Sequence, residues 1–506
     1  MTTDNFYIHS AASARQIDAD AIHNLHIPSL ILMEHAAIEC VRIIENHISK
    51  DDSVCILCGP GNNGGDGFAI ARLLFCQGYS VCCFCVPKES MSKDEFTQFK
   101  MIESLHIPYT HSLDEGILWM KNSSILVDAL FGNGLSRPIE GWYKSCIEYC
   151  NRLNAYTFAI DMPSGMDATS GEILGVAVRA DCTISLDCFK LGQWLDKGIE
   201  YCGKKYCVNI GIPIDLHKSS ENPILLLNEQ LVRSIFPKRS SHSHKGSFGK
   251  ALMIGGSASM PGAISMAAKA CYRSGVGTLT LLIPDCIADL LASKMDVAMF
   301  LRADSHKGVF DVSVLDGLDL SIQRFSHISI GNGMQKNKVT ESILDVILHS
   351  EIPVIVDADA IYFVGKHLDW LDRKSPVILT PHIKEMSDLT GMRIEEILKN
   401  PFACVQDFCK KHQNCVLILK SHFTYIGHNS SIYVLDGAND ALAKGGSGDL
   451  LCGIITGLYG QCKNALEASI CGVYLHSLAA KTSLDGAVFQ PDDLLSNMDT
   501  AFKKLR

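Results

Sequence analysis

The sequence predicts a two-domain α/β protein, each domain built on a mostly parallel sheet with helices on both faces. Short apolar runs alternate with segments of helical period along the chain, which is the rhythm of βαβ units. At 506 residues the chain is longer than one core ordinarily serves. The rhythm lapses once, in the polar stretch Leu216–Pro223, and then begins again. The expected domains are therefore residues 1–217 and 224–506, with no obvious repeat of one in the other.

In the first domain, IDADAIHNL and SLILMEHAAIECVRIIENHI carry apolar residues at helical period. SVCILC reads as a buried strand, FAIARLLFCQG as a helix and YSVCCFCV as the next strand. SILVDALFG, AYTFAIDMPSG, CTISLD and KYCVNIGIP continue the series of strands. In the second domain KALMIGG, GTLTLLIP, HISIGNG, IPVIVDADA and SPVILTPH are strands that run into loops, and AISMAAKACYRSG is a helix. CVLILK, TYIG and SIYVLDG are shorter strands, and LLCGIITGLYG and ALEASICGVYLHSLAAKTS are closing helices. SSHSHKGSFG, at positions 240–249, reads as an exposed, mobile loop, with solvation favoured over metal binding by His242 and His244.

Apolar residues make up 47% and charged residues 20%, an ordinary globular balance. A net charge of -10 argues against a nucleic-acid partner, whose phosphates want a basic face. No apolar run reaches the ~20 residues of a membrane span. The start, MTTDNFYIHS, has no basic-then-apolar leader. Many of the 21 cysteines sit in apolar runs, where they act as small hydrophobes. A reducing, cytoplasmic location is expected. Cys55 and Cys58 form a CxxC, but within a strand and with no second pair at zinc spacing. The expected partners are small molecules, with neither nucleic acid nor membrane, and the expected assembly is a homo-oligomer.

Gly59-Pro60-Gly61-Asn62-Asn63-Gly64-Gly65-Asp66-Gly67 follows a strand and opens a helix. GPGNNG has the glycine spacing that lets backbone amides approach a phosphate at a helix N-terminus. Hydride transfer would want an acidic residue ending the next strand. That strand ends Val86-Pro87-Lys88, with Glu89 only nearby, which weighs against a dehydrogenase. Asp128 ends ILVDALFG, and Asp161 ends the following strand, with Ser164 just beyond. In an open parallel sheet the carboxyl ends of strands line the crevice. Asn63, Asp128 and Ser164 would converge there as hard oxygen donors, suited to an alkali or alkaline-earth cation rather than zinc. Asp161 would be left to move a proton.

GPGNNGGDG, VDALFGNG and DMPSGMD, in that order, resemble the YjeF N-terminal family of NAD(P)HX epimerases over positions 1 to about 215. The resemblance implies a Rossmann-like three-layer αβα domain. It implies that Asn62, Asn63, Gly64, Gly65 and Asp66 bind the damaged dinucleotide, together with Gly132, Asn133, Gly134, Leu135, Ser136, Arg137 and Pro138. It implies a potassium ion at Asn63, Asp128 and Ser164, and Asp161 as the catalytic group in contact with substrate. Lys190 stands where members often carry a lysine; a surface lysine is the plainer reading of it. The implied substrate carries a hydroxyl at C6 of a hydrated nicotinamide ring, in R or S configuration. That carbon is a hemiaminal, which opens to an iminium and is rehydrated on the other face, given a proton donor and acceptor.

AKGGSGD, at positions 443–449, runs into an apolar helix. Its free N–H groups and the helix dipole would make an anion hole for a transferring phosphoryl group. Asp449 would sit beside it as a proton acceptor, or would simply favour the helix N-terminus. A glycine-rich GGSASMPGA, a GNG at 331–333, Asp357 and Asp359, and Thr380-Pro381-His382 all close strands. No Walker A motif occurs.

GGSASMPGA, IGNGM, VDADA, TPHIKEM, LKSHFT and KGGSGDLL resemble, in order from about 224 to 506, the ribokinase-like domain of ADP- or ATP-dependent NAD(P)HX dehydratases. The resemblance implies a ribokinase-like αβα fold. It implies substrate contacts at Ala263, Gly333, His382 and Asp449. Nucleotide contacts are implied at Lys420, Ser421, His422, Phe423, Thr424 and Gly448, with Mg²⁺ bridging the phosphates of ADP or ATP. Asp449 would take the proton of the C6 hydroxyl in the S epimer. Phosphorylation then makes that oxygen a leaving group, and the ring nitrogen expels phosphate; ADP ends as AMP. Members commonly have KG where this chain has Lys420-Ser421, and TGGTGD where it has KGGSGD from Lys444, so local nucleotide contacts differ. The expected function is bifunctional repair of hydrated nicotinamide nucleotides. The rivals are a vitamin or sugar kinase with an accessory dinucleotide-binding domain, and a non-enzymatic docking protein.

Overall fold

The computed structural model describes residues 7–85, 91–218, 223–437, 439–481 and 486–506. The strand end Val86–Glu89 and the segment 219–222 of the expected linker lie outside the described residues. The chain divides into two compact units, Met1–Ile224 and Leu225–Arg506.

The strands of the first unit are β1 (Tyr7–His9), β2 (Ser53–Cys58), β3 (Ser80–Cys85), β4 (Tyr109–Thr110), β5 (Ile125–Ala129), β6 (Tyr156–Ile160), β7 (Cys182–Leu186), β8 (Phe189–Lys190) and β9 (Lys204–Val208). Seven of them form one parallel sheet in the order β4-β3-β2-β5-β6-β7-β9. Its central strands are near-continuous apolar runs because both faces are covered. Ile56, Cys58 and Val127 pack into one core; Cys55, Leu57 and Leu126 pack into the other. Cys55 and Cys58 thus face opposite sides of the sheet and cannot chelate one ion. The short β1 pairs in parallel with β8, which sets His9 opposite Lys190.

The second unit contains β10 (Ile224–Leu226), β11 (Lys250–Ile254), β12 (Thr278–Pro284), β13 (Met299–Ala303), β14 (Ser305–His306), β15 (Val309–Phe310), β16 (His327–Ile330), β17 (Val354–Val356), β18 (Val377–Leu379), β19 (Cys415–Lys420), β20 (Thr424–His428) and β21 (Ser431–Leu435). Its sheet runs β13-β12-β11-β16-β17-β18-β19-β20-β21-β10, parallel up to β19 and antiparallel from β19 to β21. Helices Pro261–Arg273, Ser447–Cys462 and Ala465–Ala480 bury apolar faces in this unit. The β14–β15 hairpin had no sequence signal of its own. In the histidine-rich loop, His242 and His244 are exposed, and His244 Nδ1 accepts from the Gly246 amide rather than serving a metal. All 21 cysteines are free thiols. Among the described residues no helix is long and apolar enough to cross a membrane.

Each sheet has one point where its strand order reverses. In the first unit the chain builds outward from β2 to β4, then crosses to β5; in the second it builds from β11 to β13, then crosses to β16. Loops leaving the two strands at such a point diverge and open a crevice at the strands' carboxyl ends. The glycine-rich loops follow β2 and β11, and GNG motifs follow β5 and β16, so both pairs flank their reversal point.

Candidate active sites

In the first unit, the loops after β2 and β5 border a cavity of about 690 Å³. Asn62, Asn63, Asp66, residues 132–137 and Asp161 line it, joined by Arg15, Asp18, Asp187 and Lys190. Space and backbone conformation call for glycines in the β2 loop. A Cβ on Gly64 would stand 1.8 Å from the Gly59 carbonyl oxygen, and Gly61 adopts φ 94°.

Asp161 is the centre of this cavity. It sits at φ 67°, in the left-handed region, where non-glycine residues are uncommon. Its Oδ1 accepts from the Lys190 ammonium and, at 3.3 Å, from the Leu186 amide. Its Oδ2 accepts from the Asn133 amide at 3.1 Å. The ammonium also donates to the carbonyls of Leu186 (2.8 Å) and Cys188 (2.9 Å), which uses all of its protons. Lys190 is therefore no surface lysine: its side chain is 2% exposed. Burial works against its charge, but the Asp161 carboxylate outweighs that and holds its pKa above the ordinary value. Two further carboxyls in the cavity are held above the usual range. Burial, then the neighbouring Asp161 and Asp18 carboxylates, push Asp66 well above the usual range. Asp18 is raised to about 7, by burial and by Asp187 and Asp161 against the pull of Lys190.

Asn63 is part of the cavity wall, and Asp128 and Ser164 are not among its lining residues. Ser164 donates to Asp128 through its amide (2.8 Å) and hydroxyl (2.6 Å), and the hydroxyl accepts from the Phe131 amide at 2.8 Å. With its nitrogen turned toward Ile160, the Asn63 amide donates to that carbonyl at 3.2 Å and accepts from the Gly132 amide at 3.3 Å. Asp128 is buried and its pKa rises to about 6, burial outweighing the bonds from Ser164 and Leu130. The set offers one carboxylate and two neutral oxygen-bearing side chains, hard donors of the kind that suit a hard cation.

In the second unit, Asp449 lies in the first turn of helix Ser447–Cys462, entered through Gly446 at φ 94°. N–H groups in a first turn have no intrahelical acceptor and point outward. Asn332, after β16, joins the parts of the site: its amide donates to Asp449 Oδ1 at 2.7 Å and to Asp357 Oδ2 at 3.0 Å. Asp357 also accepts from the Thr380 hydroxyl (2.6 Å) and the Lys420 ammonium (3.2 Å). A Cβ on Gly448 would stand 3.4 Å from Lys420 Nζ, so that ammonium faces the glycine turn. Burial raises the Asp449 pKa to about 6; the Asn332 bond and Lys420 pull it down, while Asp357 and Asp359 add to the rise. Gly333 adopts φ 70°, and its Cβ position is 3.1 Å from that of Ala263, so these two lie together. His382 bridges the backbone at Lys420, its Nδ1 accepts from the Lys384 and Glu385 amides, and its Nε2 lies 3.5 Å from Glu385 Oε1.

Residues 420–424 form the turn between β19 and β20. Ser421 and His422 are exposed there, while Phe423 is buried against Tyr425. Lys444 donates to the carbonyls of Ala487 (2.7 Å) and Phe489 (2.6 Å), which commits it to anchoring the loop. A hollow of about 840 Å³ in this unit opens elsewhere, between Arg239, Arg273 and Phe502. Asn332 in the second unit, and Asp18 and Asp187 in the first, are residues that sequence reasoning did not single out as site groups. Asn332 had a usable signal, since it lies inside the GNG that closes β16.

Two α/β units, each with a switch-point crevice, a glycine-rich turn and a held carboxylate, define a class of nucleotide-handling enzymes. Residues 29–192 match the family of the YjeF-related protein N-terminus, and residues 251–499 match the family described as NAD(P)H-hydrate dehydratase. Similar over most of its length is the bifunctional NAD(P)H-hydrate repair enzyme of Moorella thermoacetica, 31% identical, with 94% of this chain and 92% of that protein covered. The enzyme of the same description from Coxiella burnetii is 32% identical over 84% of this chain and 85% of that one. Among solved structures, the ADP/ATP-dependent NAD(P)H-hydrate dehydratase of Bacillus subtilis, co-crystallised with ATP/Mg²⁺, is 28% identical. It covers 55% of this chain and 98% of its own, at a TM-score of 0.48. The chain belongs to the family of bifunctional NAD(P)H-hydrate repair enzymes.

Proposed function

We propose that the first unit interconverts the R and S forms of hydrated NAD(P)H, and that the second dehydrates the S form at the expense of ADP or ATP. The observation that carries this reading is Asp449. It is a carboxylate with a pKa near 6, held by Asn332 at a glycine-entered helix N-terminus that faces an ammonium. Such a group is ionised at neutral pH yet basic enough to take a hydroxyl proton. The adjacent first-turn amides and Lys420 suit the phosphoryl oxygens.

In the first cavity Asp161 is the proton-transfer group and Lys190 positions it. The ammonium occupies Oδ1 and leaves Oδ2 toward Asn133 and the cavity. Asn63, Asp128 and Ser164 would hold a potassium ion, which would supply countercharge to Asp128 and tie the segments after β2 and β6 to β5. Mg²⁺ would enter with the nucleotide, offsetting phosphate charge beside Asp357, Asp359 and Asp449.

The test is incubation of an R/S mixture of hydrated NADH with ADP and, separately, ATP. Return of the dihydronicotinamide chromophore in step with phosphate release is expected. Phosphorylation of pyridoxal or hydroxymethylpyrimidine by ATP, with hydrated NADH left untouched, would establish the kinase reading instead.

A further inference from the structure

Beneath the first cavity lies a set of titratable side chains that the reaction above does not use. Asp187, between β7 and β8, lines the cavity and sits at φ 66°, again in the left-handed region. Its Oδ2 is 3.1 Å from Nε2 of His217. Nδ1 of His217 is 3.1 Å from Nε2 of His9, and Nδ1 of His9 is 3.1 Å from the Ser13 hydroxyl. His217 is fully buried and His9 nearly so, whereas Ser13 is half-buried on helix Ala11–His23. The line from the cavity toward the surface thus has two hydrogen bonds, His217–His9 and His9–Ser13, and one close approach, Asp187–His217, that is not aligned as a hydrogen bond.

The fold holds this line firmly. β1 is pinned to β8, so His9 lies in register with Lys190, the partner of Asp161. Tyr7 stacks on both imidazoles, at 6.0 Å from His9 and 5.4 Å from His217. Burial, then the neighbouring His217 ring and the Lys190 ammonium, lower the His9 pKa to about 4, so the ring is neutral at physiological pH. A neutral imidazole has one N–H and one bare nitrogen, and can pass a proton by exchanging tautomers.

We propose that Asp187, His217, His9 and Ser13 form a proton relay between the first cavity and the protein surface. The proposal rests on the epimerase reading of that cavity. Loss of the C6 hydroxyl as water consumes one proton in the cavity, and addition of water to the other face releases one. A proton arriving on Asp187 passes to Nε2 of His217 once a small turn of that ring aligns the two atoms, which stand 3.1 Å apart. The Nδ1 proton of His217 then moves to Nε2 of His9, and the Nδ1 proton of His9 moves to Ser13 and on to solvent. Each ring gains one N–H and loses one, so no charge accumulates, and the reverse sequence resets the tautomers.

The test compares the full-length protein with its Asp187→Asn and His217→Phe variants. In the wild type, the R-to-S rate in H₂O/D₂O mixtures is expected to give a curved proton inventory. Both variants are expected to lose about tenfold or more in kcat, with KM within about twofold. Their proton inventories straighten, and added imidazole buffer accelerates them. Variants that run at wild-type rate overturn the relay. So do variants that slow without a change in the inventory or any response to imidazole. If His217→Phe does not fold, the near-isosteric Asp187→Asn decides the matter alone. A wild type that does not interconvert the epimers at all sinks the epimerase reading rather than the relay.

Discussion

At Asp449 the proposed proton transfer and stability pull in opposite directions. Its folded pKa of about 6 lies above the ordinary 3.8, because burial costs the charged form more than Asn332 and Lys420 return. The folded unit thus binds a proton more tightly than the unfolded chain between about pH 4 and 6. The stability it contributes is present below that window and lost as pH rises through about 6. Asp449→Asn is therefore expected to raise the melting temperature of the second unit at pH 7, seen by calorimetry. The same change should cut dehydration by about 10²-fold or more. In the wild type kcat/KM for dehydration should fall as pH drops below about 6, as the base becomes protonated. At Lys190 the stability effect has the other sign. Removing one partner of a buried ion pair costs about 3–5 kcal/mol, so Lys190→Met should destabilise the first unit by that order in chemical denaturation. Adding Asp161→Asn should recover part of the loss; no recovery would show that the pair is not what Lys190 serves. The sequence marked Asp161 and Asp449 through their motifs. It left Lys190 open, because its partner lies 29 residues upstream and burial of a lysine is a tertiary fact.

The elements were more legible than the contacts between them. Fully buried parallel strands such as SVCILC and CVLILK are apolar along their length, so composition alone marks them. The β13–β15 region carries no such run, because its strands are short and partly exposed. Glycine spacing revealed both loops, but only the packed structure separates glycines that serve a ligand from those that serve the fold. Gly64 serves the fold: its Cβ would collide with the Gly59 carbonyl, a backbone atom that has no rotamer to give way. Gly64→Ala is expected to cost about 1–3 kcal/mol in stability and to weaken substrate binding, since it forces the β2 loop away from the cavity. An unchanged denaturation midpoint and an unchanged KM for epimerisation would show that the loop relaxes freely. Lys444 shows the converse limit. In sequence it stood in the nucleotide loop; in space its ammonium is spent on Ala487 and Phe489.

At the scale of the molecule, the chain carries two chemistries that complement each other. A dehydratase that accepts one epimer leaves the other behind, and an epimerase alone restores nothing. Joined in one chain, the two activities should drain a mixed pool completely, and single substitutions should separate them. With excess ADP and an R/S mixture of hydrated NADH, the wild type should convert the whole pool to NADH in a single decay. Asp161→Asn should give a rapid phase equal to the S fraction, followed by a slow tail limited by uncatalysed epimerisation. Asp449→Asn should produce no NADH while still equilibrating R and S, as chromatography of the epimers would show. The three time courses also test the independence of the two sites. If Asp161→Asn also slows the rapid phase on S, the first cavity influences the second, and the description of two self-sufficient units fails. If it removes only the tail's acceleration, each unit carries its own reaction, and the division of labour follows from two separate carboxylates, Asp161 at a strand end and Asp449 at a helix N-terminus.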